Sequence, residues 1–268
     1  MSMYKKLNNR KWLYQKYVVE KLSTIIITKL AGAKTPNSAR QALIKQGIPL
    51  RSISDGLTCN RGDDTFRLNL EVINGCLLGD GFLRKYNKKS DVSYPYFAKR
   101  NIYQDHVSYV SGLLFAQNCQ NRIRRCKERD MLGNLAIVFS LRSYVHKELL
   151  PLYKRWYPEQ NNYKKVIPKD LSVTPTVLLH WFLDDGNSYI RKDRPTKQVC
   201  IVFCSESFTK DEQELLAAKI WRKFGVKCSV RKTQCGTGWR TFIHQKYADL
   251  FYEVIEKPVV DSLAYKWK

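Results

Sequence analysis

Two carboxylates stand where an apolar run meets a glycine. In "VINGCLLGDGFL" (residues 72–83) the acid is Asp80, before Gly81; in "VLLHWFLDDGNSYI" (residues 177–190) it is Asp185, before Gly186. A helix end carries partial negative charge from its unpaired carbonyls, so an acid there is disfavoured by a few tenths to about 1 kcal/mol and calls for a counter-charge. The glycine after each acid is the residue expected at the left-handed stop of a helix, which places each carboxylate in a last turn. If the two apolar helices pack side by side, both acids arrive at one end of a shared seam, and a divalent cation is the natural counterion. Gly75 and Gly79, one turn apart, would let a second backbone come close. The plain alternative makes each Asp-Gly simply a turn, as Asp55-Gly56 in its polar surroundings is read.

The elements that must position these acids repeat with them. The offset that carries Asp80 to Asp185 also carries Val72 to Val177 and Gly81 to Gly186. After the first apolar helix the patterns predict strands over 82–87 and 93–99, a helix over 104–117, strands over 121–127 and 134–141, and a short helix after Ser143. After the second come strands over 187–191 and 197–205, a helix over 209–225, strands over 226–233 and 238–243, and a helix over 244–256. The order helix, strand, strand, helix, strand, strand, helix appears twice, and each copy ends near a lysine: Lys164 or Lys165 in "NNYKKVIP", Lys266 in "SLAYKWK". The division is thus 67–168 and 169–268, preceded by a Ser/Gly/Asp-rich linker over 56–66 and a helical segment over 1–55. In that segment a helix start at Ser23, a stop near Ala31-Gly32 and a further helix from about Pro36 to Gln46, closed by Gly47, resemble a helix-turn-helix. Its last helix would offer Asn37, Ser38, Arg40 and Gln41 to a major groove; a three-helix packing module is the competing reading.

The chain has 268 residues, 47 lysines and arginines against 24 acids, and a formal net charge of +23. That excess opposes compaction unless a polyanion screens it, which points to nucleic acid. An anionic membrane surface is the weaker candidate, because no apolar span approaches the ~20 residues of a membrane helix and no signal peptide is evident. The eight cysteines form no pair of CxxC knuckles, so they are read as reduced thiols of an intracellular protein. The four histidines, His106, His146, His180 and His244, have no paired spacing, which argues against a histidine-bound metal.

The segments "INGCLLGDG" (73–81) and "LLHWFLDDG" (178–186) resemble the two signature helices of the LAGLIDADG homing endonucleases, in the single-chain, two-repeat form. "YQDHV" (103–107), "KKVIP" (164–168), "SESFT" (205–209) and "AYK" (264–266) stand where that family has similar segments. The resemblance covers residues 66–268. It implies an α+β fold of two pseudosymmetric αββαββα halves whose sheets form a saddle on DNA. It also implies Mg²⁺-dependent hydrolysis of both strands of a long asymmetric duplex by a monomer, with short 3′ overhangs; Mn²⁺ would substitute, and Ca²⁺ would bind without supporting cleavage. The metal site is then Asp80 and Asp185, with Gly79 and Asp184 beside them. Lys165 and Lys266 resemble the family's active-site lysines near the scissile phosphates, with surface charge as their plainer reading. His180 and Asp184 replace Gly75 and Gly79 in the second copy, so the halves should differ at the seam.

Alternate strand residues suit a major groove. The candidates are Arg84, Tyr86 and Lys88; Tyr96, Ala98 and Arg100; Asn187, Tyr189, Arg191 and Lys197; and Arg231, Lys232, Gln234 and Arg240. The parity facing DNA is left open, and other basic residues would meet phosphates, making affinity strongly salt dependent. Host intron RNA is a possible second partner, and a non-catalytic binder such as an intron maturase or a transcription regulator is the alternative function. The compartment expected is a bacterial or phage-infected cytoplasm or an organelle.

Overall fold

The helix signals near the N-terminus are answered by short helices. The computed structural model describes residues 6–20, 22–33, 35, 37–51, 68–88, 93–114, 123–129, 133–191, 198–234 and 236–268. The predicted linker, Pro36 and Lys197 lie outside the described residues. The chain divides into two compact units: Met1–Asp64 with Tyr86–Tyr94 and Tyr144–Lys147, and Thr65–Lys85 with Pro95–Ser143 and Glu148–Lys268. Tyr86 and Lys88 therefore group with the first unit, not with the half-domain in which the sequence placed them.

In the first unit, α1 (Arg10–Tyr14) starts where the Asn9 side chain accepts the Trp12 N–H, and it runs on as a wider π turn, Gln15–Val19. The Ser23 start signal is used: its hydroxyl accepts the Ile26 N–H and opens α2 (Thr24–Leu30). A third helix, α3 (Ser38–Lys45), closes before Gly47, whose φ of +64° is the left-handed stop that glycine permits. Leu13, Tyr17, Ile27, Ala39, Leu43 and Ile48 bury together as its core, and the buried Thr28 hydroxyl accepts the Ala39 N–H at 3.3 Å, tying α2 to α3. Arg40 and Gln41 lie on the exposed side of α3.

The predicted order of seven elements occurs twice, in the second unit save for the last two residues of β4. The first copy runs α4 (Leu70–Leu78), β1 (Phe82–Arg84), β2 (Tyr96–Asn101), α5 (Gln104–Leu114), β3 (Ile123–Arg129), β4 (Leu135–Val145) and α6 (Leu149–Trp156). The second runs α7 (Pro175–Asp185), β5 (Gly186–Ile190), β6 (Val199–Phe203), α8 (Lys210–Phe224), β7 (Cys228–Lys232), β8 (Trp239–Ile243) and α9 (Ala248–Ile255). The sheets are ordered β1-β2-β4-β3 and β5-β6-β8-β7, the same topology in both copies. Thr209 and Glu212 form the reciprocal capping box of α8, and Gly225 ends it at φ +67°. Among the described residues no helix is long and apolar enough to cross a membrane.

Strand alternation divides each sheet into a core face and an outer face. Leu83, Phe97 and Leu141 point to the core in the first sheet, and Ile201, Phe203 and Ile243 in the second. The helices α4 and α7 run through this common core, which explains their apolar, almost chargeless sequences. Their approach is set by glycine. A Cβ at Gly75 would stand 2.6 Å from His180 Cβ and 2.7 Å from the Val177 carbonyl, and one at Gly79 would collide with the Asp184 side chain. The larger residues of one copy thus fill the space left by the glycines of the other, and the expected asymmetry at the seam is a small-against-large fit. Gly75→Val should destabilise the fold by about 2 kcal/mol through overpacking, read as a lowered melting temperature.

Candidate active site at the paired helix ends

Asp80 and Asp185 are delivered by different backbones. Helix α7 continues through Asp185, whereas α4 stops at Leu78 and leaves Gly79 and Asp80 in a turn. Neither following glycine adopts the left-handed conformation expected of it. Gly186 is extended (φ −72°, ψ 141°) and begins β5, and Gly81 is absent from the positive-φ glycines. Close packing requires them instead: a Cβ at Gly81 would lie 2.7 Å from the Cys76 carbonyl, and one at Gly186 would strike the Phe182 ring.

The two lysines resolve the electrostatic problem of an acid at a helix end. Lys165 Nζ donates to the carbonyls of Gly79 (2.9 Å) and Gly81 (3.1 Å). Lys266 Nζ donates to those of Phe182 (3.1 Å), Leu183 (2.8 Å) and Asp184 (3.2 Å). Each ammonium therefore caps one of the two signature helices, on the partial negative charge that would otherwise repel the acid. Lys164, its competitor in the sequence, is exposed and does neither. Burial lowers both lysines, Lys266 to about 8, against the pull of Asp184, Asp185 and Asp80.

The carboxylates feel one another. Burial and then the neighbouring charges of Asp80 and Asp184 push Asp185 up to about 8, with Lys165 and Lys99 opposing. Asp80 is exposed, and Asn101 Nδ2 reaches its Oδ2 at 3.4 Å. The Asp184 side chain is turned away from this edge and wholly buried. It is ion-paired to the equally buried Lys99, its Oδ1 lies 3.6 Å from His106 Nε2, and its Oδ2 accepts the Asp80 N–H at 3.3 Å. Gly79 and Asp184 accordingly present only main-chain carbonyls beside the acids, each held by a lysine.

Lys99, Asn101 and His106 escaped the sequence reading. Lys99 sits within the apolar run "YPYFAK", where a lysine reads as a strand end, and nothing in the local pattern says that its partner lies on another helix. Among the described residues no three His, Cys, Asp or Glu side chains gather as a metal cage. The donor set at the tip is two carboxylates. That suits a hard cation such as Mg²⁺, which keeps most of its waters and takes one or two carboxylates together with substrate phosphates.

The strand registers divide the candidate residues between the two faces of each sheet. Arg84, Tyr96, Ala98 and Arg100 share one face through the register Phe82↔Ala98 and Arg84↔Tyr96. Tyr96 is buried beneath the Arg142 guanidinium, 3.9 Å from its ring centre, and Arg100 is held by Glu128 at 2.8 Å. On the second sheet Asn187, Tyr189, Arg231 and Arg240 share the outer parity with Phe242; Arg231 lies over that ring, and Arg240 is ion-paired to Glu206. Lys232, opposite Trp239, falls on the core-side parity at the strand end. Arg191 is half-buried just past β5, and Gln234 is exposed in the β7–β8 turn. Arg124 and Arg142, exposed on the outer face, were not anticipated.

Comparison with known proteins gives the family and the fold. The model of the LAGLIDADG DNA endonuclease family matches residues 70–251. A probable intron-encoded endonuclease 1 of Wickerhamomyces canadensis is 25% identical over 203 residues, 75% of this chain and 84% of that protein. A cytochrome b mRNA maturase bI2 of Debaryomyces hansenii is 22% identical over 201 residues, 74% of this chain and 72% of that protein. Among solved structures, the homing endonuclease I-WcaI bound to its DNA recognition sequence superposes with a TM-score of 0.62 at 22% identity, covering 74% of this chain and 84% of that one. That likeness establishes the mixed α/β fold of two four-stranded sheets.

Proposed function

The chain belongs to the LAGLIDADG DNA endonuclease family, and from that premise we propose that it is a site-specific homing endonuclease. Acting as a monomer, it hydrolyses both strands of a long asymmetric duplex and leaves short 3′ overhangs. The observation that carries this reading is the meeting of Asp80 and Asp185 at two lysine-capped helix ends, beside sheet faces rich in arginine and tyrosine. Asp80 and Asp185 would hold Mg²⁺, with Mn²⁺ as a substitute and Ca²⁺ as a binding ion that does not support cleavage. Bound there, such ions would lower the pKa of water and neutralise the charge that develops on the phosphate oxygens. The chain's own groups do the rest. Each acid serves one strand, Asn101 orients Asp80, and the Lys266 ammonium, lowered to about 8, exchanges a proton near neutral pH. Arg84, Arg100, Asn187, Tyr189 and Arg231 face base edges, and the remaining basic residues hold phosphates. The exposed side of α3, with Arg40 and Gln41, would add DNA contacts of its own.

Selecting cleaved duplexes from a randomised DNA library in Mg²⁺ tests the activity and yields the target together. The likeness to a maturase favours a second reading, in which structured host intron RNA is bound. Tighter binding of such RNA than of duplex, with no cut in any selected DNA, would replace the nuclease by it.

The charge crowding at the tip makes metal binding pH dependent. An acid raised to about 8 holds a proton through neutral pH, so a cation must displace it. In the folded protein this acid binds more protons than in the unfolded chain between its ordinary value of 3.8 and about 8, so its contribution to stability falls as pH rises through that window. A bound cation offsets the fall. Ca²⁺ should therefore raise the melting temperature more at pH 8.5 than at pH 6; an equal or larger gain at pH 6 would exclude Asp185 as the group displaced.

A further inference from the structure

The two halves differ most in what stands behind each acid. The offset between the acids maps Phe82 onto Asn187, and the strand registers then map Ala98 onto Val202 and Lys99 onto Phe203. Behind Asp185 the packing is aromatic: Phe203 stacks on Trp181 at 3.7 Å, with Phe182 edge-on to Phe203 at 6.0 Å. Behind Asp80 it is ionic. Lys99, in the place of Phe203, is 0% exposed and meets the 0%-exposed side chain of Asp184. Cys76 takes the place of Trp181, and its sulfur faces His180 Nδ1 at 3.9 Å.

Asp184 belongs to the second half and works on the first. One of its oxygens takes the Lys99 ammonium, and the other accepts the Asp80 N–H at 3.3 Å. The corresponding residue of the first half is Gly79, which has no side chain to send back. Asp185 is instead fixed as the last residue of a helix, its carbonyl accepting the Cys204 N–H at 2.9 Å as β6 ends. A buried ion pair is poor evidence of net stabilisation, since an apolar pair of similar volume often serves as well. The second half contains just such an apolar alternative at the matching strand position. What the ion pair adds is directional: a charged acceptor aimed at the turn that carries Asp80.

We propose that Lys99 and Asp184 form a one-sided brace, in which the second half positions the catalytic acid of the first, so that the two DNA strands are cut by centres that depend differently on this pair. The inference rests on the endonuclease reading and adds a positioning role for two side chains buried behind Asp80.

The test uses the full chain and a duplex selected by the wild type, each strand labelled at its own 5′ end, in Mg²⁺. In Lys99→Met/Asp184→Leu both charges go together, so no lone buried ion remains. The cut in the strand served by Asp80 should slow about tenfold or more relative to the other, with nicked duplex accumulating, because small misplacements of a reacting group carry costs of this size. Phe203→Leu, at the mirror position behind Asp185, should not slow the strand served by Asp80 relative to the other. The metal-free melting temperature and duplex binding in Ca²⁺ report separately on folding and affinity. A purely structural pair would lower the melting temperature and leave the ratio of strand rates at its wild-type value, and that result overturns the proposal. If the double variant does not fold, Asp184→Asn decides by the same ratio, since it keeps an oxygen for the Asp80 N–H but weakens its hold on Lys99. If the wild type cuts no selected duplex, the endonuclease reading falls first and the brace with it.

Discussion

Asp80→Asn and Asp185→Asn should each abolish double-strand cleavage, lowering the rate by about 10³-fold or more, while duplex binding in Ca²⁺ survives. The amide keeps the size and one oxygen of the acid but removes the charge that a hard cation requires. The two variants should differ in stability. Asp185 is pushed up to about 8 by burial and by Asp80 and Asp184, which outweigh Lys165 and Lys99, so at pH 8.5 its charge is a net cost in the metal-free protein. Asp185→Asn should therefore melt no lower than the wild type at that pH, and Ca²⁺ should raise its melting temperature less. Asp80 is exposed, and its replacement should leave melting nearly unchanged. Full cleavage by both variants would end the nuclease reading. Loss of one strand's cut in each variant, with the other preserved, would show that each acid serves its own strand.

These acids were legible because their signal is local and doubled. An apolar run that ends in Asp-Gly occurs twice in register, and no long-range information is needed to see it. The repeat likewise fixed the order of strands and helices, since alternation and helical periodicity are short-range properties of the side chains. What the sequence could not disclose is which residues meet across the seam. Lys99 looks like the charged end of a strand, and only the register of β2 beside α7 shows that it lies at 0% exposure against Asp184. The glycine after each acid was misread for a related reason. Glycine serves both left-handed backbone and close approach, and the choice depends on Cys76 and Phe182, which contact it only once the helix end has formed. Lys165 and Lys266 were located through the repeat, beside Lys164, and given a role by family resemblance, yet their place as helix caps is a tertiary fact: each comes from a segment more than eighty residues after the carbonyls it holds.

Lys266→Met should then be the most damaging change outside the acids. Lys266 is 5% exposed, and its ammonium is the donor shared by three consecutive carbonyls at the end of α7. Methionine fills the same channel but donates nothing, so those carbonyls lose their charge-assisted partner in a place that water reaches poorly. The Phe182 carbonyl keeps the Gly186 N–H, so two carbonyls are left unpaired at about 1–3 kcal/mol each, and their relaxation toward solvent keeps the total to about 3 kcal/mol. Lys165→Met, which frees two carbonyls on a more open site, should cost less, and the order of the two melting temperatures checks the assignment. Activity should fall further than stability explains. Burial holds the Lys266 ammonium down to about 8, so it titrates near the pH at which the enzyme would work, and removing such a group should lower cleavage about 100-fold. Lys266→Arg separates the two roles, because a guanidinium can donate to the same carbonyls yet does not give up its proton. It should recover much of the melting temperature and little of the cleavage rate. Full recovery of both would make Lys266 a helix cap alone.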